Sequence, residues 1–421
     1  MGAALLYPEG IVSWYYHPLM KRILIFSLNY FPFVGGAEVA LKEVTDRIDP
    51  SDLSFDLIAY RFDSTLPKVE QIGNITVHRV GWGKPNLAVS ESFGKLMYVA
   101  KIAYIPLAAL AAVRLHHKRP YDGAWAMMTY MLFPIVLMRL LGVRLPYLLT
   151  LQEGDPFEHV FARLHIRLLL PLLQYGVRHA VRVQAISSFL LTWAGRLGFA
   201  GKGVVIPNGV DLAHFSRTIR PENVDDVRRA LGKHAGEVYL VTTSRLVYKN
   251  AIDDVIRAVA LLPANVSFLV YGSGPEEASL QMLASELGLE ERVRFMGHLG
   301  HETLPHALSA CDIFIRPSRS EGMGNSFIEA MAAGIPVIAT QEGGIADFLF
   351  DAKRNPDKKP TGWAVDPNSP EQIRAAVETI LAKPERTAEV AARAKRLVSE
   401  KYDWKDIALR MRTLLREVTG R

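Results

Sequence analysis

The sequence predicts two α/β domains in tandem, each built on a parallel sheet. Three observations carry this. From Lys21 onward, short β-branched runs alternate with longer helix-like stretches, the pattern that strand–helix–strand crossovers require. A second series of the same kind follows Pro207-Asn208-Gly209. The chain of 421 residues is too long for one ordinary core and suits two domains or three, at roughly 100–200 residues each.

In the first series the strand runs are ILIFSL, FDLIAY, TVHRV, GAWAMM, YLLTL and VRVQAI; in the second they are VYLVTTS, VSFLVYG, VRFMG, IFIRPS, PVIAT and GWAV. The boundary falls in VIPNGVDLAHF, where a strand ends at a Pro-Asn-Gly turn, so the domains cover 20–205 and 206–402. The closing segment, 403–421, contains the amphipathic stretch DWKDIALRMRTLLREV with no strand after it and is expected to pack back on the first domain. Residues 1–19 lack the basic region and long apolar core of a signal peptide and read as an upstream extension before Met20. Ligands of open α/β sheets bind beyond the carboxyl ends of the strands, so two facing sheets share one cleft.

Composition narrows the function classes. One cysteine, Cys311, excludes an intramolecular disulfide and a Cys-based zinc site, and fits a reducing, cytoplasmic setting. It lies in the apolar run CDIFIRPS and reads as a buried structural residue. Residues 1–205 carry a net +7 and residues 206–421 a net −1, so the basic excess belongs to the first half. Between Phe93 and Val205, 13 basic residues face only Asp122, Glu153, Asp155 and Glu158. The same region holds the apolar runs IAYIPLAALAAV and GAWAMMTYMLFPIVLM; both fall short of the ~20 residues of a membrane span, and Pro134 interrupts the second. Basic residues beside apolar helical faces fit either an anionic membrane surface or core helices with a solvated basic edge. A nucleic-acid partner is not expected, because the basic excess travels with apolar helices and not with exposed aromatic platforms.

Four motifs point at the cleft. VGGAE places Gly35 and Gly36 at a helix start, where the backbone meets an anion or hydroxyl closely, or simply turns. SRLVYKN puts Arg245 and Lys249 just past a strand, a planar fork and a mobile point charge suited to a diphosphate. YGSGPEE repeats the arrangement at the next strand end, with Gly272 and Gly274 bringing backbone N–H groups to the same crevice. In PSRSEGMGNSFIEAMAAGIPVIAT, Glu321 sits in the turn and Glu329 in the helix that Gly334 closes, while the N–H groups of Gly322, Met323, Gly324, Asn325 and Ser326 are expected to form a donor-rich pocket beside Glu321.

With these residues in place the sequence resembles the retaining nucleotide-sugar glycosyltransferases of the GT-B fold, family four, the glycosyl transferases group 1. The resemblance rests on Glu321…Glu329 as an E-x7-E element, on Arg245 and Lys249, on VGGAE, on EAMAAGIPVIATQEGGIADF and on PNGVD, and it extends almost throughout from Met20. It implies two Rossmann-like domains facing across a cleft. It also implies roles: Glu321 for hydroxyls of the donor sugar, Glu329 for the ribose, Arg245 and Lys249 for the diphosphate whose charge grows as the glycosidic bond breaks. No metal and no cofactor beyond the nucleotide diphosphate sugar is then required, and no DxD-like acidic cluster stands beside a cleft strand.

One position departs from the pattern. Where many relatives have a histidine before the cleft, LTLQEGDPF has Gln152, which donates a hydrogen bond but is no base. Asp155 is the nearest residue to meet an acceptor hydroxyl, or else it caps the following helix. The expected activity is hexosyl transfer to a saccharide or lipid-linked acceptor at the cytoplasmic membrane face, in cell-surface polysaccharide or glycolipid assembly. The rivals are an epimerase or phosphorylase on the same fold, or a non-catalytic binding subunit, which intact Glu321, Glu329, Arg245 and Lys249 disfavour.

Overall fold

The computed structural model describes residues 20–87, 95–161, 164–219 and 221–420; the expected extension, 1–19, lies outside them. Its strands are β1 Lys21–Phe26, β2 Leu53–Tyr60, β3 Val69–Ile72, β4 Ile75–Val80, β5 Gly123–Met127, β6 Tyr147–Leu151, β7 Arg182–Ala185 and β8 Gly203–Val205 in the first domain. The second contains β9 Val238–Thr243, β10 Val266–Tyr271, β11 Val293–Gly297, β12 Ile313–Arg316, β13 Val337–Ala339 and β14 Trp363–Ala364. Their sheet orders are β3-β4-β2-β1-β5-β6-β7-β8 and β11-β10-β9-β12-β13-β14.

All pairings are parallel except β3 with β4, so the wholly parallel first sheet expected from the sequence is corrected at this edge. The cause is local. Gly73 sits at φ +56 in the turn, and the short strand VEQI is half exposed, giving no apolar run to mark it. Arg79 pairs with Glu70 across this edge at 2.6 Å.

The central strands are buried on both faces, as helix-covered sheets require: β5 and β6 are buried at every position. Helix Lys95–Lys118 lies on the first sheet and packs on β2 and β4. The Tyr104 hydroxyl, fully buried, donates to the Ile58 carbonyl at 2.8 Å. Here a second expectation changes, since the apolar run continues into one helix and Val99–Lys118 has the length and composition to cross a membrane. Pro134 does not break its helix, because it stands in the first turn of Leu132–Leu140, where its missing N–H removes no intrahelical bond. Cys311 is buried, its thiol donates to the Ala307 carbonyl, and burial pushes its pKa to about 12.

The chain crosses between domains twice, and the two crossings are paired. Val210 N–H donates to Tyr402 O at 2.8 Å, and Val210 forms a parallel bridge with Asp403. A side chain at Gly209 would stand 2.7 Å from Tyr402 O, so the Gly of PNGVD permits this contact. Asp211 and Asp403 then cap the helices that follow, accepting from His214 N–H and Lys405 N–H at 2.8 and 2.9 Å.

The last helix, Trp404–Thr419, returns to the first domain. Its apolar stripe of Ile407, Met411, Leu414, Leu415 and Val418 is buried, and it packs on helix Gly36–Thr45. Arg412 and Arg416 both pair with the buried carboxylate of Asp52, and Arg182 pairs with Glu417 at 3.1 Å. Asp52→Ala is expected to cost about 1–3 kcal/mol, because it strands two cations against the fold. The same substitution should cost far less in an Arg412→Ala, Arg416→Ala background; thermal melts of the four proteins check this.

Candidate active site

The site is assembled where the carboxyl ends of β1, β6, β9 and β12 meet across the cleft. Polar atoms left unpaired inside the fold gather at these ends. Asn29 Oδ1 and Tyr30 OH follow β1, Ser244 Oγ follows β9, Ser318 Oγ follows β12, and Ser326 Oγ opens helix Asn325–Ala333. Buried polar atoms normally find partners, so these five remain able to meet another molecule entering the cleft.

On the first-domain side Gly35 precedes helix Gly36–Thr45. Its N–H donates to Glu38 Oε2 at 2.7 Å, one half of a capping box. A side-chain carbon at Gly36 would stand 3.7 Å from Asn325 Nδ2, so the Gly-Gly turn faces the second domain. Glu38 is buried, and desolvation raises its pKa to about 7 against the hydrogen bonds that favour its charge.

On the other side Arg245 follows β9, and Lys249 sits in the 3-10 turn Tyr248–Asn250. Burial lowers the Arg245 pKa, opposed by the nearby charge of Asp155. Lys249 Nζ lies 3.1 Å from Asp155 Oδ1, so the two alternatives for Asp155 are joined by a third: it pairs with Lys249 across the domains. The turn itself is held by Arg319, whose N–H donates to Lys249 O at 2.7 Å and whose guanidinium pairs with Asp253 and Asp254.

The turn carrying Glu321 is pressed between neighbours. A side chain at Gly322 would meet Glu153 O at 2.3 Å, one at Gly343 would meet Glu321 O at 1.9 Å, and one at Gly344 would meet Gly322 O at 2.0 Å. Gly324, at φ +86, starts the helix, with Met323 fully buried behind it. Glu321 Oε1 accepts from Gly322 N–H at 2.9 Å, and its Oε2 accepts from Arg316 Nη2 at 2.6 Å. The expected row of free N–H donors is thus partly spent on Glu321 itself. Glu329 lies in the helix with its side chain 12% exposed; burial raises its pKa, opposed by His301 at 3.9 Å and by Arg316.

Two features bring these parts together. A carbon added at Gly154 would stand 2.7 Å from Lys249 Nζ and 3.9 Å from Glu321 Oε1, so cation and carboxylate converge on one point of the first domain. Asn208 links the domains by amides: it exchanges hydrogen bonds with Gln152 at 3.3 Å and donates to Asn325 Oδ1 at 3.2 Å.

Gly272 and Gly274 behave differently from expectation. The Gly272 N–H donates to Gly297 O at 2.7 Å, and side chains at these positions would meet Ser244 O at 1.8 Å and Leu246 O at 2.2 Å. The close approach they allow is between strand ends of the chain itself, which seats Arg245. Glu38, Asn208, Arg316 and Arg319 were not anticipated. A Glu three residues past Gly35 and a lone Arg closing the apolar strand IFIR are the signals that point to two of them.

Comparison with known proteins places this geometry. Residues 223–397 match the family of glycosyl transferases group 1. A GDP-mannose-dependent alpha-(1-6)-phosphatidylinositol monomannoside mannosyltransferase of Mycolicibacterium smegmatis is 31% identical over 220 residues, 50% of this chain and 55% of that protein. The chain thus spans about half the length of the curated relatives it matches. Sucrose-phosphate synthase from Thermosynechococcus elongatus superposes with a TM-score of 0.79 at 22% identity, covering 95% of this chain and 99% of that one. Anabaena HepE in complex with UDP-glucose superposes at 0.74 and 23% identity, covering 94% and 99%. The fold is GT-B, two Rossmann-like domains across a cleft.

Glu38 gives a test of the Gly-Gly turn. Its carboxyl holds a proton in the folded chain between about pH 4.5 and 7 that the unfolded chain has released, so stability falls as pH rises through that window. Glu38→Gln removes this term. Melts from pH 5 to 8 should show the variant gaining on the wild type by about 1 kcal/mol or more.

Proposed function

We propose that this chain, residues 223–397 of which match the glycosyl transferases group 1 family, is a retaining, metal-independent hexosyltransferase using a nucleotide diphosphate sugar. The observation that carries the reading is the convergence of Lys249 Nζ and Glu321 Oε1 on Gly154, with Arg245 and the unpaired Ser244 and Ser318 hydroxyls at the strand ends behind them. A donor lying there has its diphosphate against Arg245 and Lys249, its sugar hydroxyls toward Glu321 and its ribose toward Glu329. The diphosphate replaces Asp155 as partner of Lys249.

As the glycosidic bond breaks, the sugar gains oxocarbenium character and negative charge builds on the leaving phosphate. Arg245 and Lys249 are positioned to neutralise it, which is worth most in a cleft that excludes water. Attack from the same face lets the departing phosphate oxygen take the proton of the acceptor hydroxyl, since no first-domain base is needed and Gln152 supplies none. Gly35 and Gly36 close the pocket from the opposite side, and Gln152 and the freed Asp155 face the acceptor.

The acceptor side of this reading is a saccharide or lipid-linked acceptor at the cytoplasmic membrane face. Its support is the outer layer of the first domain. Helices Lys95–Lys118, Leu132–Leu140 and Leu164–Arg178 pack side by side and contain no Asp or Glu. Ile102, Leu140 and Leu168 are 73%, 76% and 74% exposed, beside exposed Arg114, Lys118, Arg144, Arg167 and Arg178. Each such cation contributes about 1 kcal/mol near an anionic surface.

Ligand-observed NMR with UDP-glucose and GDP-mannose should reveal binding of one of them without added metal. Lys249→Ala should lower kcat/KM on the order of 100- to 1000-fold with the fold intact. A product of inverted anomeric configuration excludes the retaining reading. Separately, the protein should sediment with phosphatidylglycerol-containing vesicles and less with pure phosphatidylcholine; Ile102→Asp with Leu168→Asp should lose most of that binding, and equal partition to both vesicles overturns the surface.

A further inference from the structure

The residue that the donor-site reading leaves unused is Arg316. It ends β12, a strand otherwise apolar, with its side chain only 6% exposed. Its Nη2 donates to Glu321 Oε2 at 2.6 Å, its guanidinium lies 4.3 Å from the Phe327 ring centre, and its charge also acts on Glu329. Its Nε–H is buried without a partner. Burying a guanidinium costs several kcal/mol, and apolar residues often replace a buried ion pair at no loss. What sets this pair apart is its place, beneath one carboxylate of the cleft and beside the other.

Resting on the donor-site reading, we propose that Arg316 is a positioning residue. It holds Glu321 with one lone pair of each oxygen occupied and the other turned to the cleft, and its charge is shared between Glu321 and Glu329 as acceptors of donor hydroxyls. The bonds from Arg316 and from Gly322 N–H account for the two occupied lone pairs. Among the described residues, His301 also stands beside Glu329, and Lys249, itself paired to Asp155, shares the corner at Gly154 with Glu321. Glu329 is the more exposed to loss of Arg316, because burial already favours its protonated form and His301, 67% exposed, is the weaker counter-charge.

The test uses Arg316→Met and Arg316→Lys in the full chain. First, the titration of the carboxyl groups is followed by 13C NMR of δ-labelled glutamate without any donor, with Glu321→Gln and Glu329→Gln assigning the signals. Second, affinity for UDP-glucose or GDP-mannose, whichever the wild type binds, is measured from pH 5 to 8. R316M is expected to raise the Glu329 midpoint and to weaken donor binding by up to about tenfold at the acid end of the range. R316K is expected to restore the midpoint while leaving donor binding about threefold weaker, because an ammonium lacks the planar fork. A folded R316M with unmoved midpoints overturns the proposal, whatever its donor affinity. Should R316M fail to fold, R316K decides: donor affinity equal to wild type overturns the proposal, and the threefold loss upholds it. If neither sugar nucleotide binds the wild type, the donor reading fails while the donor-free titration still judges Arg316.

Discussion

The cleft depends on how closely one stretch of backbone, Glu321 to Gly324, approaches its surroundings. Gly322 lies against Glu153 O of the first domain, Gly343 and Gly344 close over the carbonyls of Glu321 and Gly322, and Gly324 turns at positive φ into the helix. Each contact forbids a side chain. Together they set the height of Glu321 relative to Lys249. The interdomain ties at Asn208, Asp155 and the Ser188–Asp347 pair gather around the same turn.

Charge is placed with comparable economy. Arg316 is buried and Arg319 half-buried in the second domain, each paired with a carboxylate, whereas Arg245 is exposed and lies near the charge of Asp155. Arg319 with Asp253 and Asp254 holds the Lys249 turn, and Arg316 holds Glu321. Arg319 and Arg316 thus hold in place the lysine and glutamate that converge on Gly154. Across the cleft Glu153 does the same for the first domain, accepting from Thr129 N–H at 2.7 Å and Gln152 N–H at 3.0 Å.

Much of this was legible in the residues. The alternation of apolar runs located twelve of the fourteen described strands, and the Pro207-Asn208-Gly209 turn marked the end of another, β8. β3 escaped, since a short exposed edge strand has no apolar signature. The positions of Arg245, Lys249, Glu321 and Glu329 at strand ends and helix starts also followed from local pattern. The pairings did not. Lys249 with Asp155 joins residues 94 positions apart, and Asn208 with Asn325 joins residues 117 apart.

Gly272 and Gly274 mark the division most clearly. Their presence at a strand end is written in the sequence, and so is the need for a close approach. That the approach is to Ser244 and Leu246 of the same sheet depends on the neighbour strand. The chain alone therefore settles its two sheets, their crossovers and the chemical kinds of group that line the cleft, because hydrophobic period and turn chemistry are local. Which group faces which, and so which charges are compensated, came from the packing of the two domains, because electrostatics and desolvation are set by neighbours in space and not by neighbours along the chain.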